Sequence, residues 1–235
     1  MHRRGRLRPV ERAACCVAGV GAAAAALTGP IPAAAHHDFT AHMTVHLLLG
    51  MVAPLLLVFA APVTLVLRAL PVGPARALAR VLGSAPLRVL THPVTAAALD
   101  AGGLWALYTT GLDRAMREHA WLHVLVHTHM FVAGYLFTAA VIAVDPARHR
   151  PGRRTRAAVL VGFVAAHAIL AKYLYGHPPA GVLPADARTG AQLMYYGGDL
   201  IDAVLIATLC REWYRAHAPR RRAGTVAAQR TAMEG

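Results

Sequence analysis

Acidic side chains are scarce in this chain. Only 11 Asp and Glu stand against 24 Lys and Arg, and 15% of the 235 residues are charged. A water-soluble domain carries roughly a quarter charged residues, so that class is excluded and a bilayer is the solvent to assume. The mean hydropathy of +0.45 agrees. Lysine is nearly missing: Lys172 is the only one, and arginine supplies the other 23 basic residues. With abundant alanine, that bias fits a GC-rich coding sequence and carries no functional message. Cysteine stops at three, Cys15, Cys16 and Cys210, too few for a disulfide framework. They open the first apolar stretch and close the last, where they read as small apolar helix residues. Aromatics make up only 6%, and no basic stripe is interleaved with them. The net charge of +13 therefore does not indicate nucleic acid. No nucleophile–base pair or phosphate-binding loop stands out, so an enzyme of hydrolysis or phosphoryl transfer is not expected.

What the chain does have is long apolar runs. A helix needs about 20 apolar residues to cross the hydrocarbon core. Six stretches come close, at about 13–35, 42–68, 89–111, 119–144, 157–177 and 189–210. No formal charge lies from Met43 to Leu67 or from Ala120 to Val144. The first stretch follows Arg3, Arg4, Arg6, Arg8 and Arg12 and ends on Ala33-Ala34-Ala35, so it reads as a retained anchor or a cleaved signal. Either way His36 falls outside. Basic loops stay cytoplasmic. With the N-terminus inside, 20 of the 24 basic residues fall in inner segments, and only Arg114, Arg117 and Arg188 fall outside. The expected fold is therefore all-α, a polytopic membrane helix bundle with six transmembrane helices and both termini inside (N-in/C-in). Residues 1–35 form the anchor or signal segment, 36–213 the bundle, and 214–235 a cytoplasmic basic tail that looks disordered after Pro219. The membrane is the inner, or plasma, membrane.

Fourteen histidines are present, and this topology sorts them. His36, His37, His42, His46, His119, His123, His127, His129 and His177 fall toward the outer face. His167 lies about 15 Å deeper than His177 at 1.5 Å per residue. His2, His92, His149 and His217 lie toward the cytoplasm and read as incidental. His42 and His46 are i, i+4 neighbours, as are His123 and His127, so each pair points from one helix face. Two such pairs from antiparallel helices at similar depth can supply four imidazoles to one point. Imidazole suits copper, zinc, iron and nickel, and a thioether such as Met43 favours Cu(I). His129 is about 200° around the helix from His127 and should face another neighbour. The plainer alternative is that outer-leaflet histidines are satisfied by headgroups and water, which is the better account of a lone one such as His177. For two paired sets inside spans, where ionisable groups are expensive, function is the better account.

Asp199 and Asp202 share a face of the last span with Gln192, Tyr195 and Tyr196, and Lys172 and Asp100 complete the intramembrane set. A Lys172–Asp199 pair could lock two helices or assist metal transfer. Pro54 and Pro62 should bend the second span. Gly102-Gly103 and Gly197-Gly198 should allow close helix approach, and Trp105, Trp121 and Trp213 should mark interfaces.

The block His42-Met43-Thr44-Val45-His46-Leu47-Leu48-Leu49-Gly50-Met51, with Ala53-Pro54-Leu55-Leu56-Leu57 and Ala61-Pro62-Val63-Thr64-Leu65, resembles the opening motif of the multi-span CtaG family. His123, His127-Thr128-His129-Met130-Phe131, Gly134-Tyr135-Leu136-Phe137 and Asp145-Pro146 continue the likeness. A weaker block runs from Gln192 through Gly197-Gly198-Asp199. The likeness covers about residues 42–210. Members of that family are cytochrome c oxidase assembly factors of the type described in Gram-positive bacteria. The resemblance implies help in bringing copper to the oxidase, with oxidase subunits as partners and His42, His46, His123, His127, His129 and Asp199 as the implicated residues. The chain departs from the family in counting six spans where seven are often drawn. It also has Thr138-Ala139-Ala140 where a Trp-containing continuation is usual. A haem-binding membrane cytochrome, with histidines of two spans as axial ligands, and a copper transporter lined by the intramembrane Asp and Lys residues are the alternatives.

Overall fold

The computed structural model describes residues 8–142 and 151–217, and every regular element among them is helical. His2, His149, Arg148, Arg150, Asp145-Pro146 and the basic tail beyond residue 217 lie outside the described residues. Five helical stretches are long and apolar enough to cross a membrane, Pro9–Ala34, Phe39–Ala60, Ala120–Ile142, Arg153–Gly176 and Pro184–Arg215. The chain is a multi-pass membrane protein by length and composition.

The first stretch is α1 (Pro9–Leu27) joined to α2 (Pro30–Ala34) through Gly29 at φ 88°, a left-handed turn that glycine adopts without steric cost. Pro9 opens α1 where a missing N–H is harmless, and the Glu11 carboxylate accepts from the Arg8 amide at 2.7 Å. Gly19 lets α1 lie close against Leu56 and Leu57.

The second stretch begins earlier and ends earlier than 42–68. Asp38 caps α3 (Phe39–Leu47), accepting from the Ala41 amide at 2.9 Å. A π-helical turn, Leu48–Val52, then leads into α4 (Ala53–Ala60). The cause is Pro54, which has no N–H for the carbonyl four residues back, that of Gly50. The ladder re-routes, and the Ala53 amide donates to Leu48, five residues back. Ala61 sits in the left-handed region (φ 53°), a costly place for a non-glycine residue. Pro62 then starts α5 (Pro62–Ala69), so both prolines interrupt the segment as expected, and Pro62 ends it. Two further short, exposed helices follow, α6 (Val72–Leu82) and α7 (Ala85–Leu90).

The expected third span, 89–111, shrinks to α8 (Pro93–Thr109), 17 residues. That is ~26 Å of helix against a hydrocarbon core of about 30 Å. The physical reason is Pro93: the residue before a proline is driven out of the helical region, and His92 is extended at ψ 132°. Residues 89 and 90 therefore belong to α7. After α9 (Leu112–Glu118) the remaining helices are α10 (Ala120–Ile142), α11 (Arg153–Gly176) and α12 (Pro184–His217). Residues 143 and 144 of the expected fourth span lie outside the described residues, and α12 outruns the expected 189–210 at both ends.

α8 is held inside the bundle by α10 and α11, and α3 lies along α12. The α3–α12 contact is close because glycine faces it. A Cβ at Gly197 would come within 2.6 Å of Leu47 Cδ1, and one at Gly190 within 2.7 Å of Phe39. Any side chain at Gly134 of α10 would collide with the Gly50 carbonyl, the one freed by Pro54. Small residues let backbones meet where lipid gives no hydrophobic drive. Gly102 has open space, so only Gly103 of the first glycine pair serves close approach. At the far end of the bundle Arg156, 2% exposed at its side chain, makes a two-pronged pair with Glu212 at 2.9 and 2.8 Å and donates to the Val141 carbonyl. That guanidinium bolts α10, α11 and α12 together.

Candidate metal site on the histidine-bearing helices

The N-terminus of α3 is fixed from across the bundle. Asp186 on α12 accepts from the Phe39 and Thr40 amides at 2.7 and 3.1 Å and from the Thr40 hydroxyl at 2.7 Å. A carboxylate suits the unpaired amides and positive dipole end of a helix. This contact sets how α3 is rotated, and so where His42 and His46 point.

His42 and His46 project from one face of α3 as their spacing requires. His42 Nε2 shares a 3.1 Å hydrogen bond with the Tyr108 hydroxyl of α8, and its ring stacks on Phe39 at 5.9 Å. Tyr108 also lies 3.8 Å from Met43 Sδ and stands edge-on to His46 at 6.5 Å. Met43 is wholly buried. His46 is 2% exposed, and its Nδ1 lies 3.1 Å from the Met130 Sδ of α10.

On α10 the His123 and His127 rings stack at 4.1 Å, and His127 Nδ1 bonds the His123 carbonyl at 2.9 Å. His36, in the loop before α3, stacks on His123 at 6.2 Å, and His37 follows it at 6.4 Å. His46 is within electrostatic reach of His42, His127 and His167. The expected residues form two groups, His42 and His46 with Met43 around Tyr108, and His123 and His127 stacked on α10 with His36 beside them. Among the described residues, no three His, Cys, Asp or Glu side chains close into a ready metal cage.

Other expected residues go elsewhere. His129 is exposed on the opposite side of α10, where it bonds the Leu99 carbonyl at 3.1 Å and packs on Gly103 of α8. The 200° offset anticipated this. His177 stacks on Tyr173 at 4.5 Å. Lys172 places its Nζ over the Tyr195 ring at 5.3 Å, a cation–π contact in place of the expected pair with Asp199. Asp199 is exposed. Asp202, by contrast, is buried with neither carboxyl oxygen hydrogen-bonded, and it lies within electrostatic reach of Asp100. The Trp105 indole N–H donates to the Ala166 carbonyl and ties α8 to α11.

Sequence reasoning assigned no site role to Tyr108, Met130, His167 or Asp186. Met130 and His167 could have been suspected from their residue types. Nothing local marks Asp186 or Tyr108, because their roles depend on which helices become neighbours.

The two best-formed cavities are each about 10 Å³, one lined by Asp100, Thr138 and Phe163, the other by Asp100, His129 and Met130. Either holds at most one water.

Comparison with known proteins places the chain in a family. The chain matches the family described as cytochrome c oxidase caa3 assembly factor (Caa3_CtaG) over residues 1–216. It is 35% identical over 163 residues to uncharacterized proteins of Mycobacterium bovis and Mycobacterium tuberculosis, covering 65% of this chain and 25% of theirs. It is 29% identical over 198 residues to an uncharacterized Mycobacterium leprae protein, covering 75% of this chain and 30% of that one. The chain thus spans about a quarter of the length of the curated relatives it matches. No solved structure matches it. With the match running through every described helix, the chain belongs to the family of cytochrome c oxidase caa3 assembly factors.

Proposed function

We propose that this assembly factor handles copper as cargo, taking the ion on outer-face histidines and assisting its delivery to cytochrome c oxidase subunits in the plasma membrane. The observation that carries the reading is two i, i+4 imidazole pairs on helices that touch through Met130, whose sulfur lies 3.1 Å from His46 Nδ1: His42 and His46 on α3, His123 and His127 on α10. Met43 adds a buried thioether nearby. Imidazole with thioether is a donor set for copper rather than for magnesium or calcium, which take oxygen ligands.

The reading includes an orientation. With α8 as a sixth crossing, shortened but packed between α10 and α11, both termini lie inside and the histidine cluster lies outside. The arginine distribution supports this, and the packing of α1 on α4 supports its retention as an anchor. His129, Asp199, Lys172 and Asp202 stand at separate positions.

The test is metal analysis with an optical spectrum of the detergent-purified full chain from copper-replete cells. Near-stoichiometric copper, lost in His46→Ala and His127→Ala, is expected. A metal-free protein, or a Soret band in place of copper, overturns the reading.

A further inference from the structure

Beyond the outer pairs, the imidazoles continue inward as a ladder. His37 and His36 are exposed in the outer loop, His123 is half-buried, and His127, His46 and His167 are buried. Ring centroids step by 6.4 Å from His37 to His36, 6.2 Å to His123 and 4.1 Å to His127. On α3, the His46 ring lies with its centroid 6.1 Å from that of His167 and 15° between the planes. Beyond His167 the ladder ends in carbon: Phe163 stacks on it at 6.1 Å and Phe137 on Phe163 at 4.0 Å.

The last rung has two orphaned atoms. His46 Nε2 and His167 Nε2 are both buried and neither has a hydrogen-bond partner. A buried ring nitrogen without a partner is costly, and two neighbouring imidazoles each carry one. The Met130 contact explains how His46 is prepared. Thioether sulfur accepts hydrogen bonds but does not donate them, so the 3.1 Å contact places the proton on Nδ1. The Nε2 lone pair is thereby left facing the interior, as the partner of one ring nitrogen sets the role of the other. Gly198 of α12 seats the second ring, since any side chain there would collide with His167.

We propose that His46 Nε2 and His167 Nε2 form a terminal two-imidazole site for Cu(I), loaded from outside through His36, His123 and His127. The proposal rests on the copper-carrier reading and locates where the ion stops. Two neutral nitrogens supply no counter-charge, and ion desolvation rises with the square of the charge, so a monovalent ion is favoured over a divalent one. Zinc takes four ligands, whereas Cu(I) is stable with two. The aromatic floor at Phe163 and Phe137 makes the path a dead end, which suits a store that returns its ion to the outer face rather than a channel through the membrane.

The experiment is anaerobic titration of the full chain in detergent with Cu(I) against a chromophoric Cu(I) chelator, together with X-ray absorption of the one-copper form. The wild type should hold its tightest Cu(I) with two nitrogen donors and no sulfur. His167→Ala should weaken that ion at least tenfold, and the volume-conserving Met130→Leu several-fold, with the two-nitrogen shell kept. His177→Ala, away from the ladder, should match the wild type. If His167→Ala retains wild-type affinity, or the first ion shows sulfur or four nitrogens, the inner site is overturned and the outer carrier stands. If no variant and no wild type binds copper, both fall. The absorption spectrum of the wild type decides the coordination even if a variant fails to fold.

Discussion

At the residue scale, the site is governed by small side chains and single caps as much as by ligands. Gly134 has no room for a methyl group against the Gly50 carbonyl, while Gly21 faces open space. Gly134→Ala should therefore cost about 1–3 kcal/mol through overpacking, and Gly21→Ala should be neutral or slightly stabilising. Thermal unfolding in a fixed detergent compares the two, and equal midpoints would contradict the packing. Asp186 is a positioning residue for α3. Removing its carboxylate in Asp186→Ala should cost roughly 1 kcal/mol or somewhat more, as for a lost helix cap. It should also weaken copper binding at His46 without touching a ligand. Asp186→Asn, which keeps one of the two acceptor oxygens, should recover part of both losses. A purely structural role would lower the midpoint and leave copper affinity intact.

At the element scale, two of the buried charges behave oppositely: Arg156 holds helices together and Asp202 does not. Arg156 touches three helices, and Glu212→Ala leaves its guanidinium buried with only the Val141 carbonyl. Breaking a buried pair by removing one partner costs about 3–5 kcal/mol, and the partial exposure of Glu212 places this case at the lower end. The double replacement Arg156→Met with Glu212→Leu should cost less than Glu212→Ala alone, and unfolding midpoints that rank the other way would refute this. Asp202 has no such partner, so Asp202→Asn should not destabilise the bundle. The same division shows what could be read from sequence. Apolar length gave α10 and α11 within a few residues, and the i, i+4 spacing gave the faces of His42, His46, His123 and His127. Proline grammar was present but undervalued: Pro62 and Pro93 each end or start a helix where run length alone suggested continuity. The Met130–His46 contact, the His46–His167 stack and the Asp186 cap join residues 84, 121 and 147 positions apart. Composition and period carry no information on such pairings, because they depend on which helices become neighbours.

At the scale of the whole molecule, orientation is the open quantity with a direct check. In intact cells a membrane-impermeant maleimide should modify a cysteine introduced at Arg188 and leave one introduced at Arg76 unmodified until the membrane is breached. The reverse pattern would turn the bundle over and put the histidines inside. One dimension of the molecule bears on its surroundings as well. α12 runs for 34 residues, a rod of ~51 Å, while the hydrocarbon it crosses is about 30 Å thick. Its Pro184 end is fastened to α3 through Asp186, so it is not free to slide outward and share the surplus evenly. The rod therefore reaches past the hydrocarbon at its opposite end, where Arg211, Glu212 and Arg215 sit.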